Sequence, residues 1–227
     1  ELLVATHRAA RLARNAAEAD RAADEARLVA LRNELNPHML FNTFNSLSSL
    51  VLAGRNGEAR SMLERLAAYM RACLEDGDGA LVTVADELEL IEAYLAVEAV
   101  RFAQAPEVRI DCPDGLSDAG APRLILQPLV ENAMKYAVHP SSGAAVITIS
   151  AAEEGDRLRL TVQDTGGGDR AAVDGGTGRG VKLVARRLRA MFGDAAEMRA
   201  GPFGDGFRVD LILPRVSPAL EGAAALR

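Results

Sequence analysis

The 227-residue chain has no tryptophan, and aromatic residues make up 4% of it. With 49% of the residues apolar, a sizeable core is available, but it must be built mainly from Ala, Leu, Val and Ile. Cysteine is nearly absent. Cys73 and Cys112 fall in stretches of different grammar, so they form no disulfide framework and fit a reducing, cytoplasmic setting. No apolar run approaches the roughly 18 residues that read as a membrane-spanning helix, and no signal-peptide pattern is visible. Basic residues are outnumbered by acidic ones, 26 to 32, for a net charge of −6. That balance leaves no electrostatic footprint for nucleic acid. Histidine is scarce as well, with three in the chain. His7 and His139 read as surface residues, whereas His38 stands in a strongly patterned context. The chain opens at Glu1 already in helical register, and the expectation is a piece of a longer protein with a sensor domain upstream, soluble or membrane-anchored.

The patterned context is Asn36-Pro37-His38-Met39-Leu40-Phe41-Asn42-Thr43-Phe44-Asn45. Leu40, Phe44, Leu47 and Val51 recur at steps of four and three, the spacing of one buried helical stripe. His38, Asn42, Asn45 and Ser49 follow the same spacing on the opposite side, which presents the imidazole on a polar strip.

Around this stretch the first half reads as helical. Residues 2 to 35 lack Pro and Gly, and the stripe Leu28, Leu31, Leu35 predicts a leading helix of coiled-coil type over 1–35. Pro37 predicts a bend. A turn at Gly54-Arg55-Asn56-Gly57 separates this helix from a second over 58–74, with Met62, Leu63, Leu66, Met70 and Cys73 on one face. Together they predict an αα-hairpin, and two chains would complete a four-helix bundle. After the acidic link 75–79, Thr83 and Asp86 stand at capping-box spacing and open a helix to about Phe102, with Leu88, Ile91 and Leu95 inward.

Beyond Pro106 the grammar changes. Strands are predicted near 108–112, 145–152, 157–163, 197–200 and 207–213, and helices over 122–138 and 181–192, with turns at 154–156 and 204–206. Hairpins rather than crossovers predict a two-layer α/β sandwich with a mixed, mostly antiparallel sheet. The Ala-rich end, 217–227, reads as a frayed tail.

Three pieces of the second half carry chemistry. Asn132 and Lys135 are three apart and share a helical face in Glu131-Asn132-Ala133-Met134-Lys135-Tyr136, where an amide oxygen and a cation suit Mg²⁺ and its phosphates. Asp164 in Asp164-Thr165-Gly166-Gly167-Gly168 ends a strand, where a carboxylate accepts from an amino group such as that of adenine. Gly176-Thr177-Gly178-Arg179-Gly180 opens a helix whose N–H groups suit phosphate. The stretch is neither a dinucleotide fingerprint nor a Walker A loop.

Taken in order, these motifs resemble those of sensor histidine kinases, most closely the LytS type. The resemblance rests on Asn36 to Asn42 with Asn45, Tyr94-Leu95 with Arg101-Phe102, Leu126 to Ala133 with Lys135, Asp164 to Gly168, Gly178-Arg179-Gly180 and Arg187-Leu188. It implies that His38 is the phosphoacceptor, that Asn132 holds Mg²⁺ with Glu131 as a second metal candidate, and that Lys135 meets phosphate. It places Tyr136 in the nucleotide site, Asp164 at adenine, and Gly166, Gly168, Gly178 and Gly180 in the lid and phosphate loops. Glu34, one turn before His38, and Asn42, one turn after it, are auxiliary candidates. The resemblance implies dimerisation and phosphotransfer helices over 23–80, a connecting helix over 81–105, and a Bergerat ATP-binding sandwich of the GHKL type over 106–216. ATP and Mg²⁺ are the implied cofactors. A second copy of the chain and the receiver domain of a response regulator are the implied partners. Two readings stand beside an active kinase: a catalytically inactive dimeric phosphotransfer scaffold, and a related GHKL ATPase or serine kinase.

Overall fold

The computed structural model describes residues 37–74, 81–101, 105–137, 145–166 and 178–217. The leading helix over 1–35, Glu34, the link 75–79, Phe102, Gly168 and the tail from 218 lie outside them.

Two compact units divide the chain at Asn56. Of the first, the structure describes helix α1, Pro37–Leu52, so the bend expected at Pro37 involves residues outside the description. The stripe expected to be buried is not the buried one. Met39, Thr43 and Leu50 are inside, whereas Phe44 and Val51 are 54% and 57% exposed, alongside exposed Phe41 and Leu52. Apolar residues cover so wide an arc of α1 that periodicity alone does not choose a face. Thr43 tolerates burial because its hydroxyl donates to the Met39 carbonyl at 2.9 Å.

The second unit begins with α2, Asn56–Leu74. Its inner face is Ala59, Met62, Leu66, Tyr69 and Cys73. Leu63, expected inside, is exposed, and Tyr69 takes the inner place. Strand β1, Leu81–Thr83, leads directly into α3, Val84–Arg101. The capping box is complete. Thr83 N–H donates to Asp86 at 2.9 Å, and the Asp86 N–H donates back to the Thr83 hydroxyl oxygen at 3.0 Å. The inward face of α3 includes Val84, Glu87, Ile91, Tyr94 and Glu98; Ile91 is inside as expected, whereas Leu88 and Leu95 are half-buried beside the fully buried Glu87 and Tyr94.

The remaining elements are β2 (Glu107–Asp111), β3 (Gly120–Pro122), α4 (Gln127–Ala137), β4 (Val146–Glu154), β5 (Arg157–Asp164), α5 (Gly178–Phe192), β6 (Glu197–Phe203) and β7 (Gly206–Pro214). A five-stranded sheet has the order β2-β4-β5-β7-β6. Its β2–β4 pair is parallel and the others are antiparallel. This is the expected two-layer sandwich with a mixed, mostly antiparallel sheet. The small pair β1–β3 was not foreseen, nor was the late start of α4. Residues 122–126 lead up to that helix outside helical geometry, with Leu124 at φ 58°.

Strand alternation puts Ile147, Ile149 and Ala151 of β4, Leu158, Leu160 and Val162 of β5, and Val209, Leu211 and Leu213 of β7 in the core. In the cross-strand register Ile149 faces Val162, and Val162 faces Val209. Helix α4 packs on β4, β5 and α5, contributing Leu129, Val130, Ala133 and Met134 to the core, while α5 contributes Val184 and Leu188.

Candidate functional site

The site is built around the N-terminal end of α4. The chain entering that helix exposes three consecutive N–H groups in a buried turn, and buried donors must find acceptors. Glu87 of α3 supplies them. Its carboxylate accepts from the N–H of Leu124, from Ile125 at 2.9 Å and from Leu126 at 3.1 Å. Burial pushes the Glu87 carboxyl above its ordinary range, opposed by the three N–H groups and by the charge of Arg187 on α5. One side chain thereby ties α3 to the start of α4 and faces α5.

With its apolar side committed to the sheet, α4 leaves one strip facing away from the core. Glu131 and Asn132 on that strip are half-buried and Lys135 is exposed. The Lys135 ammonium lies 5.8 Å from the ring centroid of Tyr136. The Tyr136 side chain itself is buried. Gln127, at the first turn, donates through Nε2 to Glu131 Oε1 at 2.9 Å and to the Tyr69 hydroxyl oxygen at 2.6 Å.

Asp164 occupies the last position of β5 and continues the inward series Leu158, Leu160, Val162. It is 3% exposed, a carboxylate where the pattern calls for an apolar residue. Its Oδ1 accepts from the Gly166 N–H at 3.1 Å, and Gly166 is buried too. A Cβ on Gly206 of β7 would lie 1.7 Å from the Asp164 carbonyl oxygen, so the neighbouring strand approaches Asp164 as only glycine allows.

Gly178 opens α5, and Gly180 follows two residues later. A Cβ on Gly180 would meet the Pro128 carbonyl oxygen at 3.3 Å. Glycine here lets the N-terminal ends of α5 and α4 come close. The structure therefore brings the N-terminal ends of α4 and α5 close together, and α4, which carries Glu131, Asn132 and Lys135, packs on β5, whose last residue is Asp164. His38 and Asn42 lie on α1, in the other unit. Asn42 is half-buried, and its carbonyl accepts from the Ser46 hydroxyl at 3.0 Å.

Sequence reasoning missed Glu87, Gln127, Tyr69 and Gly206. The inward spacing Val84, Glu87, Ile91, Tyr94 carried a signal for the first, since it puts a carboxylate on an apolar face. Gln127 stood inside the Leu126–Ala133 motif with no role assigned. The contacts of Tyr69 and Gly206 involve partners 58 and 42 positions away in sequence, beyond any local pattern.

Comparison with known proteins supplies the family. Residues 26–105 match the histidine kinase family model, and residues 117–217 match that of the histidine kinase-, DNA gyrase B- and HSP90-like ATPases. The sensor histidine kinase YpdA of Escherichia coli is 34% identical over 185 residues, covering 78% of this chain and 32% of that protein. The sensor protein LytS of Oceanobacillus iheyensis is 30% identical over 203 residues, covering 84% of this chain and 34% of that protein. The chain belongs to the LytS-type family of sensor histidine kinases. It spans about a third of the length of the curated relatives it matches. Among solved structures, the histidine kinase domain of the blue-light activated histidine kinase EL346 of Erythrobacter litoralis is similar at 16% identity and a TM-score of 0.48, covering 83% of this chain and 93% of that one. In this LytS-type chain, His38 and α1 to α3 fall within the first matched segment, and Asn132, Lys135, Asp164 and Gly180 within the second. Among the described residues, no helix is long and apolar enough to cross a membrane.

Proposed function

We propose that this chain is the kinase core of a two-component sensor. It binds ATP with Mg²⁺, phosphorylates its own His38, and passes the phosphoryl group to an aspartate on the receiver domain of a response regulator. The observation that carries the reading is Asp164. An ionisable carboxylate at a core position costs free energy unless it serves a partner, and here it ends β5, a strand on which α4 packs.

The residues present fit the nucleotide. Asp164 offers a buried acceptor suited to the exocyclic amino group of adenine. The Gly166 N–H holds that carboxylate, and the close approach of Gly206 is to the Asp164 main chain. Asn132 presents a hard oxygen for Mg²⁺, with Glu131 beside it, and Lys135 presents a cation for phosphate. The glycines at 178 and 180 open α5 with N–H groups directed out of its N-terminus. Bound ATP and Mg²⁺ supply an electrophilic γ-phosphorus, charge neutralisation and an ADP leaving group. His38 provides the accepting nitrogen. Glu34, four residues earlier in the sequence, and Asn42, one turn further along α1, are candidates for handling its proton and for later dephosphorylation. Acceptor and nucleotide residues belong to separate units, so transfer is a step between units, within one chain or across a dimer.

Incubation with γ-labelled ATP and Mg²⁺ tests the reading on wild type, His38→Gln and Asn132→Ala. An acid-labile, base-stable label on the wild type alone is the expected result. Nucleotide binding without label in the wild type would remove the autokinase, and absence of both would favour the scaffold.

A further inference from the structure

A buried hydrogen-bonded bridge links α2 to the nucleotide strip of α4. The amide nitrogen of Gln127 has two hydrogens and both are used, one toward the Tyr69 hydroxyl oxygen at 2.6 Å and one toward Glu131 Oε1 at 2.9 Å. Gln127 is 4% exposed and Tyr69 is 1% exposed, so water does not compete for the bond between them, while Glu131 at the other end of the bridge is half-buried. The amide oxygen of Gln127 is buried without a hydrogen-bond partner among the described residues. Nothing on that side fixes the amide plane, which leaves the phenol and the carboxylate to set it. Gln127 and Glu131 are four residues apart on one helix, so each restricts the other's rotamer.

Tyr69 is itself well held. Its ring packs against Tyr94 of α3 with centroids 6.1 Å apart. Four residues further along α2, Arg123 closes the helix end by donating through Nη2 to the carbonyls of Ala72 at 3.0 Å and Cys73 at 2.8 Å. The C-terminal turns of α2 are thus fastened at two points, to Arg123 in the segment that leads into α4 and to Gln127 at the first turn of α4. One of those points reaches Glu131, the neighbour of Asn132.

We propose that Tyr69 and Gln127 are positioning residues for Glu131, so that the placement of α2 is read directly at the nucleotide site. This rests on the kinase reading above. The phenol orients the amide and the amide orients the carboxylate. A displacement of α2 that withdraws the phenol frees the amide to rotate and releases Glu131 from its fixed rotamer. A site group that is present but no longer held loses rate without losing ligand affinity.

The test uses Tyr69→Phe, which keeps the ring and its contact with Tyr94, and Gln127→Leu, which keeps the apolar volume. The first readout needs no nucleotide. In protein labelled with ¹⁵N at glutamine side chains, the Gln127 amide signal is identified by its loss in Gln127→Leu. In Tyr69→Phe one of its two protons is expected to move upfield and exchange faster with solvent. The second readout is His38 labelling at saturating ATP, expected to fall about tenfold in both variants while the nucleotide Kd stays within about twofold. An unchanged Gln127 signal in Tyr69→Phe overturns the bridge. A changed signal with wild-type labelling rates overturns the positioning role. A wild type that never labels overturns the kinase reading and the catalytic half of the proposal with it, and the spectrum still decides the bridge.

Discussion

Glu87 shows how one buried group can set both stability and its pH dependence. Its carboxylate answers three N–H groups at the start of α4, yet desolvation raises its pKa above the usual carboxylate value. The folded state therefore binds a proton more tightly than the unfolded chain does. The linked stability is fully present below the ordinary value of about 4.3 and is lost as pH rises through the raised one. Glu87→Gln turns donor hydrogens toward backbone donors and is expected to cost about 2–3 kcal/mol at neutral pH. Its deficit should be larger at pH 5 than at pH 8, because only the wild type carries the slope. Denaturant titrations at the two pH values check this, and parallel pH profiles for the two proteins would contradict it. Asp164 is the second decisive residue. Asp164→Asn keeps the shape and removes the charge, and ATP affinity is expected to fall by about 10- to 100-fold, the worth of one hydrogen bond to a charged group. Isothermal titration measures it, and unaltered affinity would disconnect Asp164 from the nucleotide.

Elements place those residues, and their ends matter most. The capping box at Thr83 and Asp86 fixes where α3 begins, and the register of α3 decides that Glu87 points inward. Thr83→Ala is expected to cost about 1 kcal/mol by urea denaturation, the usual worth of an N-cap. On the sheet, β7 meets the end of β5 at Gly206, where a Cβ would lie 1.7 Å from the Asp164 carbonyl oxygen. No rotamer relieves a clash with backbone. Gly206→Ala is therefore expected to cost about 3 kcal/mol or more and to weaken ATP binding by displacing Asp164. A variant as stable as wild type would show that β7 does not approach β5 this closely. The errors of sequence reading also belong to this scale. Hairpins, strand alternation and the cap were legible because each is local. On α1 the inner face lies one position from the expected one, and on α3 Glu87 and Tyr94 stand inside in place of Leu88 and Leu95 while Ile91 is buried as expected, because the apolar arcs are wide and the buried polar groups Thr43 and Glu87 have partners that satisfy them. The segment 122–126 read as helix because nothing local reveals that a carboxylate 37 residues earlier holds it in a turn.

At the scale of the whole molecule, α1 shows Phe41, Phe44, Val51 and Leu52 to solvent, spaced as one helical stripe. Burying large apolar side chains contributes about 1.5–3 kcal/mol each, so this stripe is the expected seam of the homodimer that the family resemblance implies. Sedimentation velocity is expected to give a dimer for the wild type and a monomer for Phe44→Asp, with nucleotide binding retained because Asp164 and Asn132 lie in the other unit. Equal masses for both proteins would move the dimer contact elsewhere.

Sequence by itself determined the two-layer sandwich, the order of its motifs and the candidate residues His38, Asn132, Lys135 and Asp164, because periodicity, turn chemistry and motif spacing are written within a few residues of one another. Tertiary structure alone decided that Asp164 is buried against a glycine of the neighbouring strand, that Glu87 holds the turn before α4, and that Tyr69 reaches Glu131 through Gln127. Those arrangements depend on which distant groups must satisfy one another once water is excluded, and local sequence does not encode that pairing.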